Sequence, residues 1–239
     1  MELNKIINHL NKILDIKNID DLSANGLQVG KNKPVTKIGF SVDATIDSIQ
    51  KANENKCDLL IVHHGISYNN SLKYITDLNY KKIEFLIKKN IALASYHLPL
   101  DAHKQFGHNI QIAKLLRLKK IKQFNIGVKG SLPKKMSVSQ LSEFLNNSLN
   151  TKCIPHSYNN KPIETVTIVS GGGSSLSNVA INISDCFITG EVRYDNVVYA
   201  KDMKKNIIEA GHYETEFLGL KALMKYIQKK FNVEVVFID

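Results

Sequence analysis

Cys57-Asp58-Leu59-Leu60-Ile61-Val62-His63-His64-Gly65 is the stretch on which the fold turns. Cys57–Val62 is an apolar run of strand length, the pattern of a parallel strand buried on both faces. It ends in two adjacent imidazoles. Upstream, Lys37–Val42 reads as a strand, and Asp43 is placed to cap a helix over Ala44–Asn55. Downstream, Tyr80–Asn90 reads as a helix and Ile91–Tyr96 as a second buried strand. Residues 1–15 place Leu3, Ile6, Ile7, Leu10, Ile13 and Leu14 at helical spacing, and Asn25-Gly26 marks a turn.

The alternation continues toward the other end. A helix from about Gly107 to Leu116 precedes a strand near Phe124–Gly130, a helix over Val138–Leu149, and strands at Lys152–Ser157 and Thr165–Ser170. Asp185–Thr189 is a strand, Asp195–Lys204 a helix and Asn206–Glu209 a short strand. Tyr213–Lys230 reads as one long helix and Val233–Ile238 as a final strand. Strands alternating with helices predict an α/β fold with largely parallel or mixed sheets. The boundaries predict one domain from 1–122 plus 206–239 and a second from 123–205.

Bulk properties narrow the function classes. No apolar run reaches the ~18 residues of a membrane-spanning helix, and Met1-Glu2-Leu3-Asn4-Lys5 lacks a basic stretch followed by an apolar one, so no secretory signal is expected. Cys57, Cys153 and Cys186 are odd in number and widely spaced, which reads as reduced thiols in a cytoplasmic protein. The net charge of +10 would suit nucleic acid, but the excess is almost all lysine, in pairs on the polar sides of helices. Arg117 and Arg193 are the only arginines, and arginine is the residue suited to bidentate phosphate and base contacts. Solvated helix faces are the better reading, and neither a membrane nor nucleic acid is expected as a partner.

Chemistry gathers at three places. His63-His64 sits at the carboxyl end of a buried strand, where α/β sheets bind ligands. The next strand runs into Ser95-Tyr96-His97-Leu98-Pro99-Leu100-Asp101. Pro99 argues against a continuous helix there, so His97 and Asp101 are expected on the loop leaving the strand. Taken alone, Asp101 reads equally well as a helix N-cap. His212 and Glu216 are four apart, so they share one helix face; an acidic helix start would also produce Glu216. Together the clusters offer His63, His64, Asp101, His212 and Glu216, about the number of ligands two divalent ions need. A mixed imidazole and carboxylate set suits Zn, Fe, Mn, Co or Ni alike.

Asn25-Gly26-Leu27-Gln28-Val29-Gly30, His63-His64, His97 through Asp101, Thr189-Gly190-Glu191 and Gly211-His212-Tyr213-Glu214-Thr215-Glu216 occur in that order. Over essentially the whole chain this resembles the NGG1-interacting factor 3 family, whose bacterial members are often labelled GTP cyclohydrolase 1 type 2 homologues. The resemblance implies two interlocked α/β domains, a ring-shaped homohexamer and a two-metal site. It places the metal ligands on His63, His64, Asp101, His212 and Glu216, with Glu216 as the bridge. Many relatives carry a histidine shortly after Thr-Gly-Glu; here Val192-Arg193-Tyr194-Asp195-Asn196 has none.

These readings point to a metal-dependent hydrolase acting on a nucleotide or phosphoester, with His97 as an acid or base, since imidazole titrates near neutrality. A structural hydrogen bond is an equal reading of His97. The alternative function is a non-catalytic, metal-binding hexameric scaffold or regulator acting through a bound partner. Glu191 is expected to orient a ligating histidine. The Gly171–Ser175 run reads as a tight turn ahead of a short helix, with a phosphate cradle the sharper alternative. His9, His103, His108 and His156 lack ligand spacing and are expected on the surface.

Overall fold

The computed structural model describes residues 1–69 and 71–238. Helix α1 (Leu3–Ile13) precedes strands β1 (Gly26–Val29) and β2 (Lys37–Asp43). Next come α2 (Ile46–Glu54), β3 (Leu59–His64), α3 (Asp77–Lys88), β4 (Ala92–Ser95) and the short α4 (Leu98–Asp101). α5 (His108–Leu115) leads to β5 (Lys119–Phe124) and β6 (Gly127–Met136), then α6 (Val138–Leu149), β7 (Ile154–His156) and β8 (Ile163–Gly172). A 3-10 turn over Gly173–Leu176 runs into α7 (Ser177–Ile183), followed by β9 (Cys186–Glu191), α8 (Tyr194–Asp202) and β10 (Asn206–Glu209). α9 (His212–Glu216), α10 (Leu218–Phe231) and β11 (Glu234–Phe237) come last.

The chain divides into two units: Met1–His103 with the stretch from Leu220 onward, and Lys104–Gly219. Each has its own sheet. The first runs β1-β4-β3-β2-β11 and the second β5-β6-β8-β9-β10-β7. In the first sheet β11, β2, β3 and β4 are mutually parallel, and only β1 is antiparallel. In the second, β8, β9 and β10 are parallel, while β5, β6 and β7 pair antiparallel. The predicted α/β class holds, in its mixed-sheet form. The boundaries differ from those read in the sequence. β10 pairs in parallel with β9, and Ile112 and Ala113 of α5, with the C-cap residue Leu116, share one core with Val128 and Leu141. Both elements therefore belong to the second unit.

Strand alternation explains how one sequence run serves two faces. On β3, Leu60 and Val62 pack with Ile49 and Ala52 of α2 and Leu86 of α3. Leu59, Ile61 and His63 point to the other face and are equally buried. The central strand thus reads as continuously apolar, as a two-sided parallel strand should.

Four local expectations are corrected. Asp43 is the last residue of β2, and Thr45 caps α2 instead, with Ser48 completing the capping box. The single strand predicted near 124–130 is a hairpin. β5 was missed because its lysine-rich sequence is almost wholly exposed and carries no apolar alternation, and Asn125 makes the turn at φ 50°. The long helix from 213 to 230 is interrupted at Phe217, which separates α9 from α10. Gly26, expected only as a turn, begins β1 at φ 102°. The three cysteines are free, Cys57 and Cys186 buried, and burial pushes the Cys57 thiol up to about 11, so it is not reactive at neutral pH. Among the described residues no helix is long and apolar enough to cross a membrane.

Leu60 is fully buried between β2 and β4. Leu60→Ala is expected to cost about 2–5 kcal/mol of unfolding free energy, read by chemical denaturation.

Candidate metal centre

In the first unit the parallel strands bring three chain segments to one sheet edge. Asp43 of β2 lies beside His64 of β3, and Val62 pairs with Ser95 at the end of β4. His63 is fully buried. Its Nδ1 lies 2.9 Å from the carbonyl oxygen of Tyr96, an acceptor only, so Nδ1 carries the proton and donates. Nε2 then keeps its lone pair, 3.5 Å from Oδ2 of Asp101. His64 follows the same rule, with Nδ1 donating to Oδ1 of Asp43 at 2.8 Å. Ser95 Oγ donates to the His63 carbonyl at 2.8 Å and locks the strand end.

Asp101 reaches the cluster on a helix, not on the loop the sequence suggested. Pro99 is tolerated there because it sits in the first turn of α4, where its missing N–H loses nothing. Nor does Asp101 cap the following helix, whose N-cap is Gly107. His97 precedes α4, and its ring centroid lies 5.0 Å from that of His63 and 5.5 Å from that of His64. One ring nitrogen from each of His63, His64 and His97 falls within 4.8 Å of the others, a group able to hold a cation. His63, His64, His97 and Asp101 are therefore brought together.

Sequence reading missed Asp21. Its side chain is 3% exposed and accepts from His97 Nδ1 at 2.9 Å, Leu98 N at 3.0 Å, Ser23 N at 3.0 Å and Asn25 Nδ2 at 2.9 Å. Burial pushes its carboxyl up, but the hydrogen bonds from His97, Ser23 and Asn25 outweigh that and hold it at about 2. Asp43 was also missed as a partner of His64. The only local signal was a string of acids ahead of Asn25-Gly26, which reads as a polar turn.

The second unit gathers His212, Glu216 and Glu191. His212 Nδ1 donates to Oε1 of Glu191 at 3.0 Å, the orienting role expected of that glutamate, and Nε2 lies 3.2 Å from Oε2 of the buried Glu216. The four-residue spacing puts both side chains on one face of α9. Glycines make the room. Gly171 adopts φ 61°, and a Cβ there would collide with Oε1 of Glu216 and come within 3.1 Å of Nε2 of His212. A Cβ on Gly190 would lie 2.6 Å from the Gly171 carbonyl and 2.8 Å from the His212 Cα. Within the glycine run the amides of Gly171 and Gly173 donate to the hydroxyls of Thr215 and Thr189, so these two are not available to a phosphate.

In the absence of a cation, the His212 pKa is raised to about 9, first by its hydrogen bond to Glu216, against burial, and then by Glu191. The remaining histidines behave differently. His108, expected on the surface, is fully buried, and its Nδ1 accepts from the amide of Gly219 at 3.1 Å, which puts the proton on Nε2. His9 bonds the Tyr226 hydroxyl at 2.7 Å, and His156 bonds Glu209 at 2.6 Å.

The family described as Duf34/NIF3 (NGG1p interacting factor 3) matches residues 1–239. The chain belongs to that family. It is 36% identical to a GTP cyclohydrolase 1 type 2 homolog of Pyrococcus horikoshii, covering 100% of this chain and 98% of the relative. The corresponding protein of Archaeoglobus fulgidus is 33% identical over the same shares. The crystal structure of TTHA1606 from Thermus thermophilus superposes with a TM-score of 0.93 at 34% identity, covering 100% of this chain and 98% of that one. The Thr-Gly-Glu and Gly-His motifs of this NIF3 chain are thus the residues that shape the second unit's cluster.

Two outcomes follow. In metal-free protein the raised His212 pKa contributes stability that is fully present below pH 6.5 and lost as pH rises through about 9. Thermal melts from pH 6 to 10 should therefore decline over that interval, and a His212→Asn variant should lose this component. Gly171→Ala should cost about 1 kcal/mol or more from its positive φ and lower the metal content of purified protein, read by elemental analysis.

Proposed function

We propose that this chain holds two divalent cations on His63, His64, Asp101, His212 and Glu216, with Glu216 shared, and is a hydrolase acting on a nucleotide or a phosphoester. The observation that carries the reading is the common orientation of the three imidazoles. Each turns Nδ1 to an oxygen of its own unit, from Tyr96, Asp43 or Glu191, so that Nε2 is the nitrogen left for a cation, which at His212 would displace the proton shared with Glu216. Surface histidines have no reason to share that arrangement. Oxygen and imidazole donors without thiolate leave the choice among Zn, Fe, Mn, Co and Ni open.

Cations bound there would acidify a water and steady negative charge developing on the substrate. The chain's own groups do the rest. Asp43, Glu191 and the Tyr96 carbonyl hold the ligand rings in register, and buried Glu216 and Asp101 supply fixed negative charge. His97, beside His63 and His64, moves a proton between substrate and solvent. The name of the Pyrococcus horikoshii relative points to GTP as the first substrate to try. Assembly into a ring-shaped homohexamer, implied by the family resemblance, belongs to the same proposal and is read by light scattering.

The test uses purified, metal-loaded protein with GTP and a panel of phosphoesters. His64→Ala should lower the bound metal, whereas His97→Ala should keep it and lose about 10²- to 10⁴-fold in kcat. If the loaded protein leaves every substrate untouched, hydrolysis is wrong. The family's description as an interacting factor favours a second reading, a metal-bearing scaffold that binds a partner without turnover. On that reading His97→Ala alters neither metal content nor partner binding.

A further inference from the structure

Asp21 is a charged group in a place where charge is expensive, with its side chain 3% exposed. Four donors converge on it. Three of them, the amides of Ser23 and Leu98 and the side chain of Asn25, would be satisfied by any acceptor. The fourth is an imidazole. His97 Nδ1 lies 2.9 Å from Oδ1 and 3.1 Å from Oδ2, so both carboxylate oxygens face one ring nitrogen. The backbone is fixed as well, because His97 N donates to Asn25 Oδ1 at 2.7 Å. A single short segment, 21–25, thus grips His97 at its ring and at its main chain.

We propose that Asp21 is the positioning residue for His97: its carboxylate holds the imidazole as the Nδ1–H tautomer and reserves Nε2 for the site. A carboxylate that already accepts three other hydrogen bonds offers a ring nitrogen only an acceptor, so the proton must sit on Nδ1. Without that anion both tautomers of His97 would be populated, and its ring would be free to turn away from His63 and His64. The arrangement matches that of His64 with Asp43 and of His212 with Glu191, but it is far more buried: Asp43 is 48% exposed and Glu191 61%, against 3% for Asp21. Its catalytic meaning rests on the hydrolytic reading above, whereas the tautomer itself does not.

The test reads the ring nitrogens directly. Protein labelled with nitrogen-15 in histidine, metal-free and at neutral pH, is examined by long-range proton–nitrogen correlation. His97 should show a protonated Nδ1 and a lone-pair Nε2 in the wild type. Asp21→Asn should lose that preference, because the amide nitrogen must turn donors toward donors. Asn25→Ala, which removes the main-chain grip but keeps the carboxylate, should retain it. With zinc-loaded protein and any substrate that turns over, Asp21→Asn should lower kcat about 10- to 100-fold, with KM and zinc content unchanged. A wild-type His97 carrying its proton on Nε2 overturns the proposal, as does an Asp21→Asn protein with the wild-type tautomer. Should that variant not fold, the wild-type spectrum decides by itself. A correct tautomer in a protein that hydrolyses nothing refutes the hydrolytic reading and leaves the positioning role of Asp21 standing.

Discussion

A histidine can bind a cation through a ring nitrogen only if the proton is parked on the other one, and in this chain the parking places are built into the sheets. Tyr96 leaves β4 one residue beyond the strand, and its carbonyl takes the Nδ1 proton of His63. Asp43 ends β2 opposite His64 in the strand register and does the same for that ring. Glu191 ends β9 and serves His212. Parallel strands finish side by side, so His63 and His64 arrive at the carboxyl edge together with the oxygens that orient them. This is the physical content of the rule that α/β sheets bind ligands there.

The second requirement is room. Glu216 and His212 stand against the backbone of Gly171, and the backbone of Gly190 lies against both Gly171 and the start of α9. Any side chain at either glycine would occupy space that the carboxylate, the imidazole or the main chain already fills. Thr215 and Thr189 then satisfy two of the amides that such a bare turn exposes, those of Gly171 and Gly173, and tie the run to α9 and β9. Unusual residue types here follow from close packing as much as from chemistry.

Histidine burial shows how the same residue type is put to opposite uses. His63 and His108 are both fully buried. His63 gives its Nδ1 proton to a carbonyl, whereas His108 Nδ1 receives one from the amide of Gly219. The first ring keeps the lone pair on Nε2, 3.5 Å from Oδ2 of Asp101, and the second carries a proton there. Burial does not set which nitrogen of a histidine carries the proton; the partner of Nδ1 does.

Much of the architecture was legible locally. The apolar run 59–62, the repeats of strand and helix around it, and the His-His, His-x-x-x-Glu and Thr-Gly-Glu pieces are all properties of neighbouring residues, and they marked the α/β class, the family and the candidate ligands. β5 escaped because an exposed lysine-rich edge strand buries nothing that would leave a pattern. The unit boundaries, the break at Phe217, the burial of His108 and the roles of Asp43 and Asp21 were decided only in three dimensions. Asp21 and His97 are 76 residues apart, and nothing in either segment names the other. Residue type and spacing record what a stretch of chain can do, but protonation, orientation and room depend on which distant atoms folding places alongside it.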